Sequence, residues 1–394
     1  MSKKFILLLC LVSIFSITFS KQAYSVTDKI YKELSTFSKV LDIVDKVYVK
    51  PVSEKEAIRG AIDGMLTTLD PHTIYLPAKV YKSFSSDTKG RFGGVGIEVS
   101  VKNGVLTIIS PIRDTPAWEA GLKANDRILR INGQSTKSMT LGQAVLKMRG
   151  SIGKKLSMTI WRQGKTRKVT LTRRMIKVSG LKFEIIDNKY AYARIVSFQE
   201  GVSKKLKKEL SSYIRKNGKP KGIIIDLRDN PGGLLSEAVK MSDQFLKNGV
   251  IVSTKGRSKK KEIKKAHRKG TLSKVPMVLL INGGSASASE IVAGALSDQK
   301  RARLMGTKSF GKGSVQTVIN LDNGDALKVT IAYYYTPNNK LIDGKGIKPD
   351  VLLDRKAYLK KNGIKDSEDT KITRDQYDEF QKQAALAYLK RINP

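Results

Sequence analysis

The stretch PMVLLINGGSASASEIVAGAL, residues 276 to 296, decides how the chain folds. MVLLI is an uninterrupted apolar run of strand length, and SEIVAGAL reads as an apolar helix. The two are joined by a turn of small residues, Gly283, Gly284, Ala286 and Ala288, among three serines, Ser285, Ser287 and Ser289. A strand-to-helix turn of this kind lifts one side chain into solvent and aims helix N-terminal N–H groups at the same spot. Those N–H groups can stabilise an oxyanion, so the turn suits a nucleophile. The competing reading is a serine-rich helix cap.

On either side, the pattern repeats. YAYARIVSF precedes VSKKLKKELSSYIRKNG, and GIIIDLR precedes LLSEAVKMSDQFLKNG. Continuous apolar runs alternating with 10–15-residue helical patterns predict a largely parallel sheet covered by helices. SVQTVINL and DALKVTIAYYYT follow as a hairpin across Asn323-Gly324. Upstream, residues 91–176 alternate as short strands around two short helical segments, a compact domain of its own. Residues 28–69 read as helices, with Ser53 and Glu56 spaced as a capping box. LDPHTIYLP breaks the helix at Pro71, and the stretch to Gly90 reads as a connector. The end, RDQYDEFQKQAALAYLKRI, reads as an amphipathic helix.

The N-terminus carries Lys3 and Lys4 before an apolar run over residues 5–20. A basic start, a short apolar run and small residues, with Ala23 and Ser25 as an A-x-A-like pair, predict a secretory signal over residues 1–25. Cleavage is expected after Ser20 or Ser25. The run is short of the about 20 apolar residues of a spanning helix, although an anchored form remains the alternative. The one cysteine, Cys10, lies inside this segment, so the mature chain would hold no disulfide, cysteine metal site or cysteine nucleophile. Export predicts the periplasm or cell envelope. A net charge of +39 suits an anionic surface. The densest cluster, KGRSKKKEIKKAHRK (255–269), lacks interleaved aromatics, and no nucleic-acid module surrounds it. It reads as a solvated face.

A serine nucleophile needs a base. The two histidines, His72 and His267, lie near no second functional-looking cluster in the sequence, and His72 reads as a turn residue. A lysine serves if it is neutral, and burial in an apolar site lowers a lysine pKa from about 10.4 by up to several units. Lys312, flanked by Gly311 and Gly313 and leading into VQTVINL, is the candidate. In an extended segment Lys312, Ser314 and Gln316 share one face, and Gln316 can orient the amine without stabilising its charge. GTKSFGKGS nearly spells a phosphate-binding loop, but position 313 is glycine and a strand follows where a helix is required. A nucleotide site is rejected.

Taken in order, LDPHTIYLP, RFGGVGIEV, LRDNPGGLL, SASASEIVAGAL, SFGKGSVQ and GKGIKPD resemble the C-terminal processing peptidases, or tail-specific proteases. The resemblance implies a multi-domain α+β chain. Its parts are a crotonase-like (ClpP-like) α/β protease core, residues 177–355, an inserted PDZ domain, residues 91–176, an N-terminal helical region, 26–90, and a helical tail, 356–394. It also implies a serine endopeptidase acting on polypeptides with accessible C-termini, without metal or cofactor. Carried over, the nucleophile falls on Ser287, the general base on Lys312 and the supporting glutamine on Gln316. The oxyanion donors fall on the N–H of Ala288 and that of Gly232 or Gly233, a choice the sequence leaves open. Gly94, Val95, Gly96 and Ile97 fill the PDZ loop that receives a peptide terminus, with the peptide pairing on the next strand. Arg149, at the end of the PDZ helix, is placed to reach toward the core.

Two rivals follow from the same residues. One is a non-catalytic PDZ adaptor that only captures tails. The other is an acyl-CoA enzyme on a crotonase-like core, which the PDZ insertion and the export signal disfavour. The flanking helices, 28–69 and 374–392, look amphipathic enough for self-association, and an adaptor protein is a further expected partner.

Overall fold

The computed structural model describes residues 28–393, apart from 79, 82–90, 103, 138, 140, 178–179, 259–260, 268–271, 273, 367–369 and 371. The expected signal, residues 1–25, lies outside the described residues. No described helix is long and apolar enough to cross a membrane.

The chain splits into two units, one ending at Met65 and one beginning at Leu66. The first carries helix α1 (Asp28–Val47) and most of α2 (Glu54–Thr67). Half of the predicted capping box is present, with Glu56 N–H donating to Ser53 Oγ at 3.4 Å. α1 buries no side chain, and Ile30, Leu34, Phe37 and Ile43 stay exposed.

The second unit begins with β1 (Ile74–Leu76). The PDZ region follows, with β2 (Arg91–Gly94), β3 (Ile97–Lys102), β4 (Val105–Pro111), helix α3 (Pro116–Glu119), β5 (Arg127–Ile131), β6 (Gln134–Ser135), α4 (Leu141–Met148), β7 (Lys155–Arg162), β8 (Lys165–Thr172) and β9 (Arg174–Lys177). Its main sheet has the order β3-β4-β5-β7-β8, so β3 is an edge strand. Alternate residues such as Ile108, Ile128, Leu156 and Ile160 point inward and are buried.

The core then runs β10 (Leu181–Ile186), β11 (Tyr190–Ile195), α5 (Val202–Asn217), β12 (Gly222–Asp226), α6 (Leu235–Asp243), β13 (Val250–Gly256), β14 (Lys261–Lys265), β15 (Met277–Ile281), α7 (Ala288–Asp298), β16 (Arg303–Gly306), β17 (Ser314–Asn320), β18 (Ala326–Tyr335), β19 (Val351–Leu352), α8 (Arg355–Lys361) and α9 (Arg374–Ile392). The sheet β10-β11-β12-β15-β16-β19 is parallel except at β10, as the apolar runs predict. Every residue of β12 and β15 is buried, because helices cover both faces.

Two features differ from the sequence reading. LDPHTIYLP does more than break the helix: β1 pairs antiparallel with β18 and joins the second core sheet, while the connector expected up to Gly90 lies largely outside the described residues. A three-residue strand is too short to show an alternation. Helix α9 also buries Phe380, Ala385, Leu386 and Leu389 against Tyr190, Ile224 and Leu280 of its own core. Its apolar face is used inside the chain.

The PDZ region is fixed on the core by specific contacts. Ser110 Oγ donates to the Asp229 carbonyl at 2.8 Å, Arg113 pairs with Asp378 of α9, and the Arg374 guanidinium lies 3.7 Å from the Trp118 ring centroid.

Candidate active site

The β15–α7 turn distinguishes its three serines. Ser285 Oγ donates to the Leu227 carbonyl at 2.7 Å, and Ser289 Oγ to the Asn230 carbonyl at 2.9 Å. Both are fully buried and serve the fold. Ser287, half-buried, faces the cleft. Its backbone has φ 54° and ψ −113°, a conformation that costs a non-glycine residue energy and persists only when neighbours hold it. Ser287 is also the N-cap of α7, so the cap and nucleophile readings meet in one residue.

Glu290 is what holds it. One carboxylate oxygen, Oε2, accepts the N–H of Ser287 at 2.9 Å and that of Lys312 at 2.8 Å. The other, Oε1, accepts the N–H of Gly311 at 2.7 Å and Ser309 Oγ at 2.5 Å. Burial raises the carboxyl pKa, and these four donors oppose the rise. Sequence reasoning did not assign Glu290, although its position three residues after Ser287 is the capping-box spacing.

The LRDNPGG turn after β12 sits against the same turn. Asn230 is fully buried; its Nδ2 donates to the Ile195 carbonyl at 2.7 Å, and its own carbonyl accepts Ala286 N–H at 3.0 Å. Asn230 Oδ1 takes the Gly232 N–H at 2.9 Å. Gly232 itself must be glycine: its φ is 110°, and a Cβ would lie 2.9 Å from Ser287 Cβ. Phe198 bridges across Gly233, donating to the Gly232 carbonyl and accepting from Leu234 N–H. The Gly233 N–H belongs to neither bond, and Gly233 lines the cleft beside Ser287. Ala288 is the first residue of α7, so its N–H has no partner within the helix.

Lys312 lies in the loop before β17, with only 13% of its side chain exposed. Its surroundings are not the apolar site expected. Nζ donates to Glu98 Oε1, on edge strand β3, at 3.0 Å. Gln316 does not hold the amine in this structure; its Nε2 donates to Ser314 Oγ at 2.7 Å and to Thr330 Oγ1 at 3.5 Å. Ser314 and Gln316 do share a face, as the extended segment predicts.

His72 is not an isolated turn residue. It lines the same cleft as Ser287, Lys312, Gln316 and Lys328, with Nδ1 3.3 Å from Ser100 Oγ. Burial first, then the Lys312 and Lys328 ammoniums, push it down to about 4. The sequence carried one signal for this turn: Asp70 two residues before His72 is an Asx-turn spacing. Asp70 Oδ1 accepts the N–H groups of His72 and Thr73 at 2.6 and 2.8 Å. His267 forms an exposed pair with Asp243 at 3.3 Å.

The cleft, about 440 Å³, continues into the groove between β3 and α4. Gly94, Val95, Gly96 and Ile97 all line it, with Leu141, Val145 and Met148 on the helix side and Arg149 at its end. Gly96 has φ 78°, and a Cβ there would strike Thr115 at 2.3 Å. Among the described residues, no group of three or more His, Cys, Asp or Glu is placed to hold a metal ion.

An elbow serine, a half-buried lysine and a peptide groove on one cleft define a PDZ-containing serine peptidase. The model for Peptidase family S41 matches residues 189–353, a PDZ model matches 93–172, and one described as the activating protease CtpB N-terminal domain matches 15–80. The carboxy-terminal-processing protease of Bartonella bacilliformis is 43% identical over 339 residues, spanning 84% of this chain and 78% of that protein. The carboxy-terminal processing protease CtpA of Bacillus subtilis is 36% identical, spanning 82% and 69%. The solved photosystem II D1 C-terminal processing protease superposes with a TM-score of 0.69 at 27% identity, covering 81% of this chain and 92% of that one. The chain belongs to peptidase family S41, among the carboxy-terminal processing proteases.

Proposed function

We propose that this peptidase cleaves polypeptides presented by their C-terminal tails, using Ser287 as nucleophile and Lys312 as general base. The observation that carries the reading is the Glu290 carboxylate, which joins the Ser287 turn and the Lys312 loop at the cleft where the PDZ groove opens. A tail pairs along edge strand β3, its end chain in the apolar groove against α4. Glu98 then leaves Lys312, and the ammonium releases one proton to solvent. The neutral amine, oriented by Gln316, takes the Ser287 Oγ proton, and the alkoxide adds to the scissile carbonyl. Ala288 N–H and Gly233 N–H hold the oxyanion, with Gly233 favoured because Asn230 occupies Gly232. The ammonium protonates the leaving amine, and water hydrolyses the acyl-enzyme by the reverse transfers.

The same reading places the protein outside the cytoplasm, in the periplasm or cell envelope, with residues 91–176 as tail-binding module and 177–355 as catalytic core. Self-association is assigned to α1, whose apolar side chains stay exposed. Sedimentation showing a strict monomer would remove that part. Catalysis is tested by incubating the protein and its Ser287→Ala variant with an unstructured polypeptide ending in a small apolar tail, read by mass spectrometry. Fragments from the parent alone are expected. Tail binding without fragments from either would mean an adaptor or a protease awaiting its activator.

A further inference from the structure

The cleft holds a second lysine. Lys328 lies on β18, directly opposite Ile74 of β1 on one side and Val318 of β17 on the other. Two residues along, Thr330 stands opposite Gln316. Opposed residues and those two apart share a face, so Lys328 and Gln316 project from the same side of the sheet. Both line the cleft with Ser287 and Lys312. Burial first, then the Lys312 ammonium, push Lys328 down to about 8, while Glu98 and Asp70 act the other way.

Lys312 and Lys328 thus share the cleft with Glu98, Asp70 lies within electrostatic reach of Lys328, and the two carboxylates are held differently. Asp70 cannot leave. Its Oδ2 accepts Thr73 Oγ at 2.8 Å, and Thr73 Oγ in turn accepts Thr330 N–H at 3.1 Å. These bonds tie Asp70 to the strand that carries Lys328. Burial raises the Asp70 pKa, and the hydrogen bonds it accepts, from Thr73 and the His72 N–H foremost, bring it below the ordinary value. Glu98 sits on the edge strand of the PDZ region, where an incoming tail would pair. Of the other groups in or beside the cleft, His72 is neutral near pH 7, Glu290 is bound by backbone and Ser309 donors on the side of the Lys312 loop, Asp343 accepts Gly313 N–H, and Arg149 adds a cation at the end of the groove. When Glu98 withdraws, the two ammoniums lose one of their counter-charges, while Asp70 stays fixed to the strand of Lys328. A lysine beside a second cation gives up its proton more readily.

We propose that Lys328 is a positioning residue of this peptidase, its ammonium repelling a proton on Lys312 across the shared cleft and so setting the pH at which the dyad becomes active. The inference rests on Lys312 being the general base.

The test is the pH dependence of kcat at saturating unstructured polypeptide, which reports the substrate-bound enzyme. It compares the parent with Lys328→Met, Lys328→Gln, Lys328→Arg and Lys312→Ala. In both neutral variants the acid limb should move up by about one pH unit, lowering activity near pH 7 about tenfold and recovering it by pH 10. Lys328→Arg should keep the limb of the parent. A neutral variant that folds by circular dichroism and loses the same factor at every pH, or none, overturns the proposal. So does a limb shift in Lys328→Arg equal to that of Lys328→Gln. Full activity in Lys312→Ala would instead remove the dyad itself, whatever the Lys328 variants do.

Discussion

Lys312 Nζ and Glu98 Oε1 lie 3.0 Å apart, and this single bond joins the catalytic loop to the strand on which a peptide tail would pair. While it lasts, Nζ is engaged with the Glu98 carboxylate and is not free to take a proton from Ser287. The half-buried location, with 13% and 35% of the two side chains exposed, makes the pair stronger than a surface ion pair and weaker than a fully enclosed one. In the proposed mechanism, tail capture and base activation would meet in Glu98.

Glu98→Gln is expected to raise kcat/KM on polypeptides lacking a favourable tail about five- to tenfold, equivalent to about 1 kcal/mol of lost ion pairing. The gain on tailed substrates should be smaller, because the tail already displaces the contact. Steady-state kinetics on matched substrates with and without an apolar tail check this. An equal change on both would mean that Glu98 does not link the two sites.

Asn230 holds Gly232 N–H, the Ile195 carbonyl and, through its own carbonyl, the serine turn. Asn230→Ala removes two side-chain bonds and leaves buried partners unmatched, a loss of about 2–3 kcal/mol in stability. Because the turn also aims Gly233 at the cleft, kcat should fall about 100-fold, the scale of a lost oxyanion donor. The β3–α4 groove is untouched, so tail affinity measured on a Ser287→Ala background should stay within about twofold.

What was legible in the sequence was whatever a single continuous segment carries. The run 276–296 shows its strand, its turn and its helix in order, and Ser287 and Lys312 sit in turns whose composition singles them out. The charged lining of the cleft was not legible, since it is assembled from four separate segments. Glu98 reads as a solvent-facing residue of a short strand, and Lys328 is one of 74 lysines and arginines. Asp70 and His72 lie on a turn whose adjoining strand, β1, has only three residues. Pairing between β1 and β18 crosses some 250 positions, which no local pattern reports. The choice between Gly232 and Gly233 likewise depended on Asn230 and Phe198, one two residues away and the other on a different strand connection.

Asp226 is fully buried at the end of β12. Burial would raise its pKa, but the Arg194 and Arg228 guanidiniums hold it below the ordinary carboxylate range. It accepts Arg228 Nη2 at 2.6 Å, Arg194 Nη1 at 3.1 Å and Tyr192 OH at 2.6 Å. Arg228 also reaches the Asp378 carbonyl of α9 at 2.8 Å. Asp226→Asn leaves two buried cations short of a counter-charge and should cost about 3–5 kcal/mol. Urea unfolding checks this, and a loss under about 1 kcal/mol would show that Asp378 and Asp229 together satisfy the arginines.

His72 gives the stability of the fold a pH dependence whose sign is set. Its folded value, about 4, lies below the ordinary 6.5 because burial and two nearby ammoniums disfavour the imidazolium. Above pH 6.5 the side chain is neutral in both the folded and unfolded chain, and nothing is lost. Between about 6.5 and 4 the unfolded chain binds a proton that the folded one refuses, so stability falls as the pH falls through that window. The loss reaches about 2–3 kcal/mol by pH 4, one pKa unit being about 1.4 kcal/mol. Carboxylates titrate over part of the same range, so the quantity to measure is the difference between the parent and His72→Gln. The parent should lose more stability than the variant between pH 7 and pH 4.5, by urea unfolding at each pH. Parallel curves would place His72 in contact with solvent or with a partner for its charge, and would return Lys328 and Lys312 to a more hydrated cleft.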